Sequence, residues 1–144
     1  MTNESRRRIL VIDDDRAMRE MLIALLEDAG HEALGAEGVD VAIERIREEQ
    51  LDAVISDIRM PGRSGLEILG EVRELQPELP VIMMTAFGSI DSAVEAMQAG
   101  AFDYVTKPFK RDAILVPLER AFEKSALEAE NKRLRRALDR TPSF

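Results

Sequence analysis

Residues 9–12 form an unbroken apolar run, and a few positions later the apolar residues fall at helical spacing, with Met18, Met21, Leu22 and Leu25 on one stripe. The same change of period recurs along the chain, from short β-branched runs to stripes that repeat every 3.6 residues. The runs predict strands over 9–13, 32–36, 53–57, 81–85 and 102–105. Between them, Val39, Ala42, Ile43 and Ile46 mark a second helix, Ile68, Leu69, Val72 and Leu75 a third, and Ile90, Ala93, Val94 and Met97 a fourth. Strands alternating with amphipathic helices five times predict an α/β protein, a doubly wound parallel sheet covered on both faces. Punctuation agrees: Gly30 and Gly100 follow helices as left-handed caps, and Ser64 with Glu67 has the spacing of a capping box.

Parallel strands share one direction, so their C-terminal ends gather at one edge, where ligands of open parallel sheets collect. The residues predicted there are chemically unusual. The first strand runs into Asp13, Asp14 and Asp15, the third ends at Asp57 in "VISDIRMPG", the fourth at Thr85 in "VIMMTAFGS", and the fifth leads to Lys107 in "DYVTKPF". Helix capping accounts for Asp15. Asp13, Asp14 and Asp57 need more, because two like charges about 4 Å apart repel by roughly 4 kcal/mol at an effective dielectric of about 20. One lysine does not offset three carboxylates, whereas a hard divalent cation does. Mg2+ suits the set, since it binds through one or two carboxylates, keeps several waters and commonly sits beside a phosphoryl group. Pro108 restrains Lys107 to extended geometry, so "KPF" reads as a turn that aims the ammonium. His31, in "DAGHEAL" with no second histidine in the chain, reads as a turn residue.

Composition narrows the partners. The 144 residues, 45% of them hydrophobic, suffice for one core with an appendage, and a net charge of -8 argues against phosphate-neutralising contact with nucleic acid. No cysteine is present for disulfides or thiolate metal sites. No run approaches the ~20 apolar residues of a membrane span, and the basic N-terminal stretch is not followed by the apolar core of a signal peptide. A cytoplasmic protein is expected.

The acidic pair Asp13-Asp14, the segment Asp57 to Gly62 with Met60-Pro61-Gly62, Thr85-Ala86 and Lys107-Pro108, in this order at strand ends, resemble the receiver domains of two-component response regulators over residues 8–124. The resemblance implies the flavodoxin-like strand order 2-1-3-4-5. It also implies that Asp57 accepts a phosphoryl group from a sensor histidine kinase, that Asp14, Asp57 and the Arg59 carbonyl ligate Mg2+, and that Asp13 acts on the metal through water. Lys107 would pair with the phosphoryl oxygens, Thr85 would hydrogen-bond the phosphoryl group, and Tyr104 would change rotamer with Thr85 as a switch. Such a domain signals instead of turning over a substrate, and autodephosphorylates slowly.

Among receivers, "DIRMPGRSGLEIL" and "MMTAFGSIDSAVEAMQAGAFDYVTKPF" look most like the nitrogen-regulation class of sigma-54-dependent transcription activators, where the receiver precedes an ATPase and a DNA-binding domain. Neither a GxxxxGK[ST] loop nor a helix-turn-helix follows residue 124, so the chain reads as a fragment, with a stand-alone regulator as the alternative. The expected organisation is a tail over 1–7, the receiver over 8–124, and a linker helix over 125–144 with a disordered end. In that helix Leu127, Asn131, Leu134 and Leu138 step by 4, 3 and 4, a short coiled-coil seam consistent with a homodimer. Pro117 leaves two placements open for the last helix. It starts near Asp112 and is kinked, or it starts near Val116 with the proline in the first turn. Two rivals fit less well. A haloacid-dehalogenase-type phosphatase needs a DxDx[TV] pattern that Ala17 interrupts, and a flavodoxin-type carrier needs a Ser/Thr/Gly-rich phosphate loop where three aspartates stand.

Overall fold

Consecutive residues of a strand point to opposite faces of its sheet, and here both faces are apolar. Ile9 and Val11 pack on one side with Ile55, Ile82 and Met84; Leu10 and Ile12 pack on the other with Val54, Val81 and Met83. The computed structural model describes residues 6–86 and 89–139. Strands β1 (Arg8–Ile12), β2 (Glu32–Ala36), β3 (Ala53–Asp57), β6 (Val81–Ala86) and β7 (Asp103–Lys107) form one sheet in the order β2-β1-β3-β6-β7. Every neighbouring pair is parallel. This is the flavodoxin-like order 2-1-3-4-5 when only the strands of the main sheet are counted. The last strand lies slightly later than its predicted span, which brings Lys107 into the strand itself.

Helices α1 (Arg16–Asp28) and α5 (Arg111–Asp139) cover the first face through Leu22, Leu26, Ile114, Leu118 and Phe122. Helices α2 (Val39–Glu48), α3 (Leu66–Leu75) and α4 (Ile90–Gln98) cover the other through Val39, Ala42, Ile46, Ile68, Leu69, Val72 and Ala96. Each such side chain contributes on the order of 1.5–3 kcal/mol for the larger residues relative to exposure. Gly30 and Gly100 take positive φ just beyond α1 and α4, as the caps require.

Two local features depart from the sequence reading, and a third decides between alternatives it left open. The residues after β3 form a short antiparallel hairpin, β4 (Arg59–Met60) with β5 (Arg63–Ser64). Its turn has Pro61 followed by Gly62 at φ 79, the pairing a type II turn demands. The predicted capping box of α3 is not formed. Gly65 is the N-cap residue, Ser64 Oγ accepts from the Leu66 N–H, and Glu67 instead pairs with Arg63. Last, α5 begins at Arg111, so the start near Val116 is excluded, and the helix continues through Pro117. Pro117 removes one main-chain donor, but it is buried together with Ile114, Leu118, Ala121 and Phe122, so packing holds the helix across it.

At the opposite end of the sheet from the acidic strand termini, His31 lies between α1 and β2. It is more than a turn residue: its Nδ1 accepts the Arg7 N–H at 3.3 Å, and its ring meets Phe122 edge-on at 5.5 Å between centroids. The Arg7 guanidinium covers the same Phe122 ring. Burial, reinforced by the Arg7 charge, lowers the imidazole pKa below its ordinary value, against the pull of Glu119 and Asp52. The accepting Nδ1 requires the neutral ring, so its stabilisation is complete above the unfolded pKa and is lost as pH falls through the lowered folded value. The melting temperature of the wild type should therefore drop more steeply between about pH 7 and 5 than that of His31→Gln; parallel profiles would show that the imidazole does not titrate against the fold.

Candidate functional site

The parallel register brings four strand ends level. Ile12 stands beside Ser56, Asp57 beside Met84, Thr85 beside Thr106 and Ala86 beside Lys107. Asp13 follows β1 directly, its N–H donating to the Ala36 carbonyl of β2. Asp13 is fully buried, Asp14 beside it is exposed, and Asp57 is partly covered. Carboxylate oxygens of these three residues lie within 4.8 Å of one another. Asp15 does not join them: it caps α1, accepting from the N–H groups of Ala17 and Met18.

Lys107 reaches across the sheet edge from β7. Its Nζ donates to Asp57 Oδ2 at 2.9 Å and to Asp13 Oδ2 at 3.2 Å. Burial works against the ammonium, but the hydrogen bonds and charges of Asp57 and Asp13 together outweigh it and hold the Lys107 pKa above the ordinary lysine value. Asp13 shows the converse balance. Burial raises its pKa, the neighbouring Asp57 adds to the rise, and the Asp15 N–H and Lys107 only partly counter them. The Asp13 carboxylate is therefore under electrostatic stress that a cation would relieve. Oxygen ligands about 2.1 Å from a Mg2+ ion stand up to about 4.2 Å apart, close to the size of this cluster. The donor set is also all oxygen, as that ion prefers.

Main-chain contacts fix the arrangement. The Arg59 N–H donates to Asp57 Oδ1 at 3.2 Å, and the Asp15 N–H donates to Asp13 Oδ1 at 2.9 Å. Two supporting residues were not legible in the sequence. Arg19 of α1 donates to the Asp13 carbonyl at 2.8 Å, and the buried Ser56 hydroxyl donates to the Asp57 carbonyl at 3.0 Å. An arginine one turn into an amphipathic helix carries no pattern that reveals a main-chain partner six residues back.

Thr85 is buried at the end of β6, where its Oγ1 donates to the Val105 carbonyl at 3.4 Å. With Ile90, Val94 and Met97 of α4 and Tyr104 of β7 it lines a cleft of about 300 Å³. Tyr104, which shares this lining, is 42% exposed. Phe87 and Gly88 of the intervening "AFGSID" loop lie outside the described residues. The seam residues Leu127, Asn131, Leu134 and Leu138 are all exposed on the far half of α5 and are remote from the acidic cluster. That half is tied back by an ion pair between Lys132 and Glu78. Lys124 covers the Phe102 ring nearer the sheet.

A five-stranded parallel sheet with an acidic cluster and an opposed lysine at its C-terminal edge defines a doubly wound α/β protein whose charged residues meet at the strand ends. The response regulator receiver domain family matches residues 9–119, and the chain belongs to it. It is 40% identical over 131 residues to the C4-dicarboxylate transport transcriptional regulatory protein DctD of Rhizobium meliloti, covering 91% of this chain and 28% of that protein. Its fold matches the crystal structure of NtrX from Brucella abortus with a TM-score of 0.85 and 38% identity, over 89% of this chain and 29% of that one. It also matches the solution structure of the beryllofluoride-activated NtrC4 receiver domain dimer, with a TM-score of 0.77 and 32% identity, over 82% of this chain and 98% of that one. The chain spans about a quarter of the length of the curated relatives it matches. Among the described residues no helix is long and apolar enough to cross a membrane.

Proposed function

We propose that this receiver accepts a phosphoryl group on Asp57 from phosphohistidine of a sensor kinase. The observation that carries the reading is the position of Lys107 Nζ between Asp57 and Asp13, within a cluster of three carboxylates. Phosphoryl transfer asks a protein chiefly for positioning and charge neutralisation, and both are present here. An Asp57 carboxylate oxygen attacks phosphorus, the P–N bond to the donor imidazole breaks, and the imidazole leaves with the electron pair and takes up a proton. Lys107 moves from its carboxylate partners toward the phosphoryl oxygens and balances part of their charge. Asp14, Asp57 and the Arg59 carbonyl would hold Mg2+, with Asp13 acting through water, and an ion held there would supply positive charge to neutralise the phosphoryl group. Slow attack by water on the acyl phosphate ends the signal.

Thr85 and Tyr104 fit the two ends of a relay. A charge-assisted hydrogen bond from Oγ1 to the phosphoryl group is stronger than its present 3.4 Å bond to a neutral carbonyl. Thr85 would therefore swing toward Asp57, leaving space in the cleft whose lining it shares with Tyr104. Phosphoramidate with Mg2+ should add one phosphoryl group at Asp57 by mass spectrometry, with none added in Asp57→Asn. Thr85→Ala should accept it equally while losing the chemical-shift change at Tyr104. Labelling that survives Asp57→Asn, or labelling unaffected by chelation of Mg2+, would contradict the mechanism.

The output is transcription control of the sigma-54-dependent kind. The likeness to DctD, named as a transcriptional regulatory protein, supports this assignment. Transmission would run through α5 as a C2 homodimer. Leu127 and Leu138 are each 71% exposed, apolar surface left without cover on this chain. With Asn131 and Leu138 at position a and Leu127 and Leu134 at position d, Glu130 falls at g and Arg135 at the following e. In a parallel pair these carry opposite charges across the interface, while facing Asn131 side chains fix the register. Sedimentation across protein concentrations, with and without beryllofluoride, should show self-association that Leu134→Asp abolishes. A monomer at every concentration in both states would reduce the seam to a solvated linker.

A further inference from the structure

Gly65 closes the loop that follows the acceptor aspartate, and its backbone is in the ordinary right-handed helical region, at φ -61 and ψ -17. Conformation therefore does not demand glycine there, since any residue adopts these angles. Space does. A Cβ at Gly65 would lie 1.9 Å from the Asp57 carbonyl oxygen, 3.0 Å from the Asp57 carbonyl carbon and 3.1 Å from Ile58 Cα. All three atoms are main chain, so no flexible side chain can turn away.

The contact belongs to a closed circuit. Asp57 ends β3, the chain runs out through the β4–β5 hairpin, and it returns so that the Gly65 N–H donates to the Ile58 carbonyl at 2.6 Å. Ser64 Oγ lies 3.4 Å from the same carbonyl. Ile58 is in turn anchored to the sheet, its N–H donating to the Met84 carbonyl at 3.1 Å. The peptide that carries the acceptor carboxylate is thus clamped between β6 on one side and Gly65 on the other. The Arg59 N–H that orients Asp57 Oδ1 lies inside the circuit.

We infer that Gly65 is a positioning residue for phosphoryl acceptance, because the bare Cα lets the returning chain press on the Asp57 peptide and set the carboxylate against Lys107. The inference rests on the reading of Asp57 as the acceptor. A methyl group at this position forces the Asp57 peptide back by about 1 Å, a displacement that in a preorganised site costs on the order of a hundredfold in rate. The lever acts on the main chain one peptide away from the reacting oxygen. Its effect therefore appears in the rate of phosphorylation, and in the Mg2+ concentration that supports it, more than in stability.

The experiment compares wild type, Gly65→Ala and Gly70→Ala, the last placed in α3 where a Cβ meets nothing within 4 Å. Thermal melting and the rate of Asp57 labelling by phosphoramidate are measured over a series of Mg2+ concentrations, at temperatures where each protein is folded. Gly70→Ala should label as the wild type does. Gly65→Ala should remain folded, label about tenfold to a hundredfold more slowly and need more Mg2+ for half its maximal rate. A folded Gly65→Ala that labels at the wild-type rate with the wild-type Mg2+ dependence overturns the inference. Failure to fold, also when combined with Gly70→Ala, overturns it too by assigning the glycine to the fold. Absence of Asp57 labelling in the wild type, by contrast, strikes the acceptor reading itself.

Discussion

The arrangement depends on one balance of charge: a single ammonium, Lys107, stands between the Asp57 and Asp13 carboxylates at the C-terminal edge of the sheet, with Asp14 close beside them. The fold compels the meeting. Residues from β1, β3 and β7, far apart in sequence, become neighbours because the strands are parallel and their register is locked by apolar residues on both faces. A slip of one residue in any of these strands would exchange its two faces and carry its functional residue out of reach. The apolar sheet that stabilises the fold thus also sets the geometry of the charged site.

This balance is also incomplete. Three carboxylates face one lysine, and burial, with the Asp57 charge adding to it, holds the Asp13 pKa above its ordinary value. A structure that needed only stability would do better with fewer charges at this edge. Under the proposed function the surplus negative charge has a chemical use, since a divalent cation and a phosphoryl group held in turn would each redistribute the partners of Lys107. Thr85 stands one residue before Ala86, the register partner of Lys107, and shares the lining of one cleft with the exposed Tyr104.

Much of the architecture could be read from the chain because the period of apolar residues changes cleanly between strand and helix. The edge chemistry could be read because parallel strands put their ends together whatever lies between them. Where the reading was incomplete, short-range chemistry or tertiary packing decided the outcome. The β4–β5 hairpin is too short for any period and is made by Pro61 and Gly62. Glu67 is drawn from the expected capping box by Arg63. Pro117 stays inside α5 because Ile114, Leu118 and Phe122 hold that helix against the sheet. Arg19 and Gly65 act on main-chain atoms of Asp13 and Asp57; spacing reveals neither contact, and at Gly65 the residue type records that space is short without naming the atoms that fill it.

The central claim is that the surplus carboxylate charge is the receptor for a divalent cation, and thermal unfolding with and without Mg2+ tests it most directly. At ten times its dissociation constant the ion should stabilise the wild type by about 1.4 kcal/mol, raising its melting temperature, with reversal by a chelator. Asp14→Asn, which lowers the repulsion but removes a ligand, should melt at or above the wild-type temperature without the ion and gain much less from it. Equal Mg2+ stabilisation of wild type and Asp14→Asn, or none in the wild type, would contradict the account.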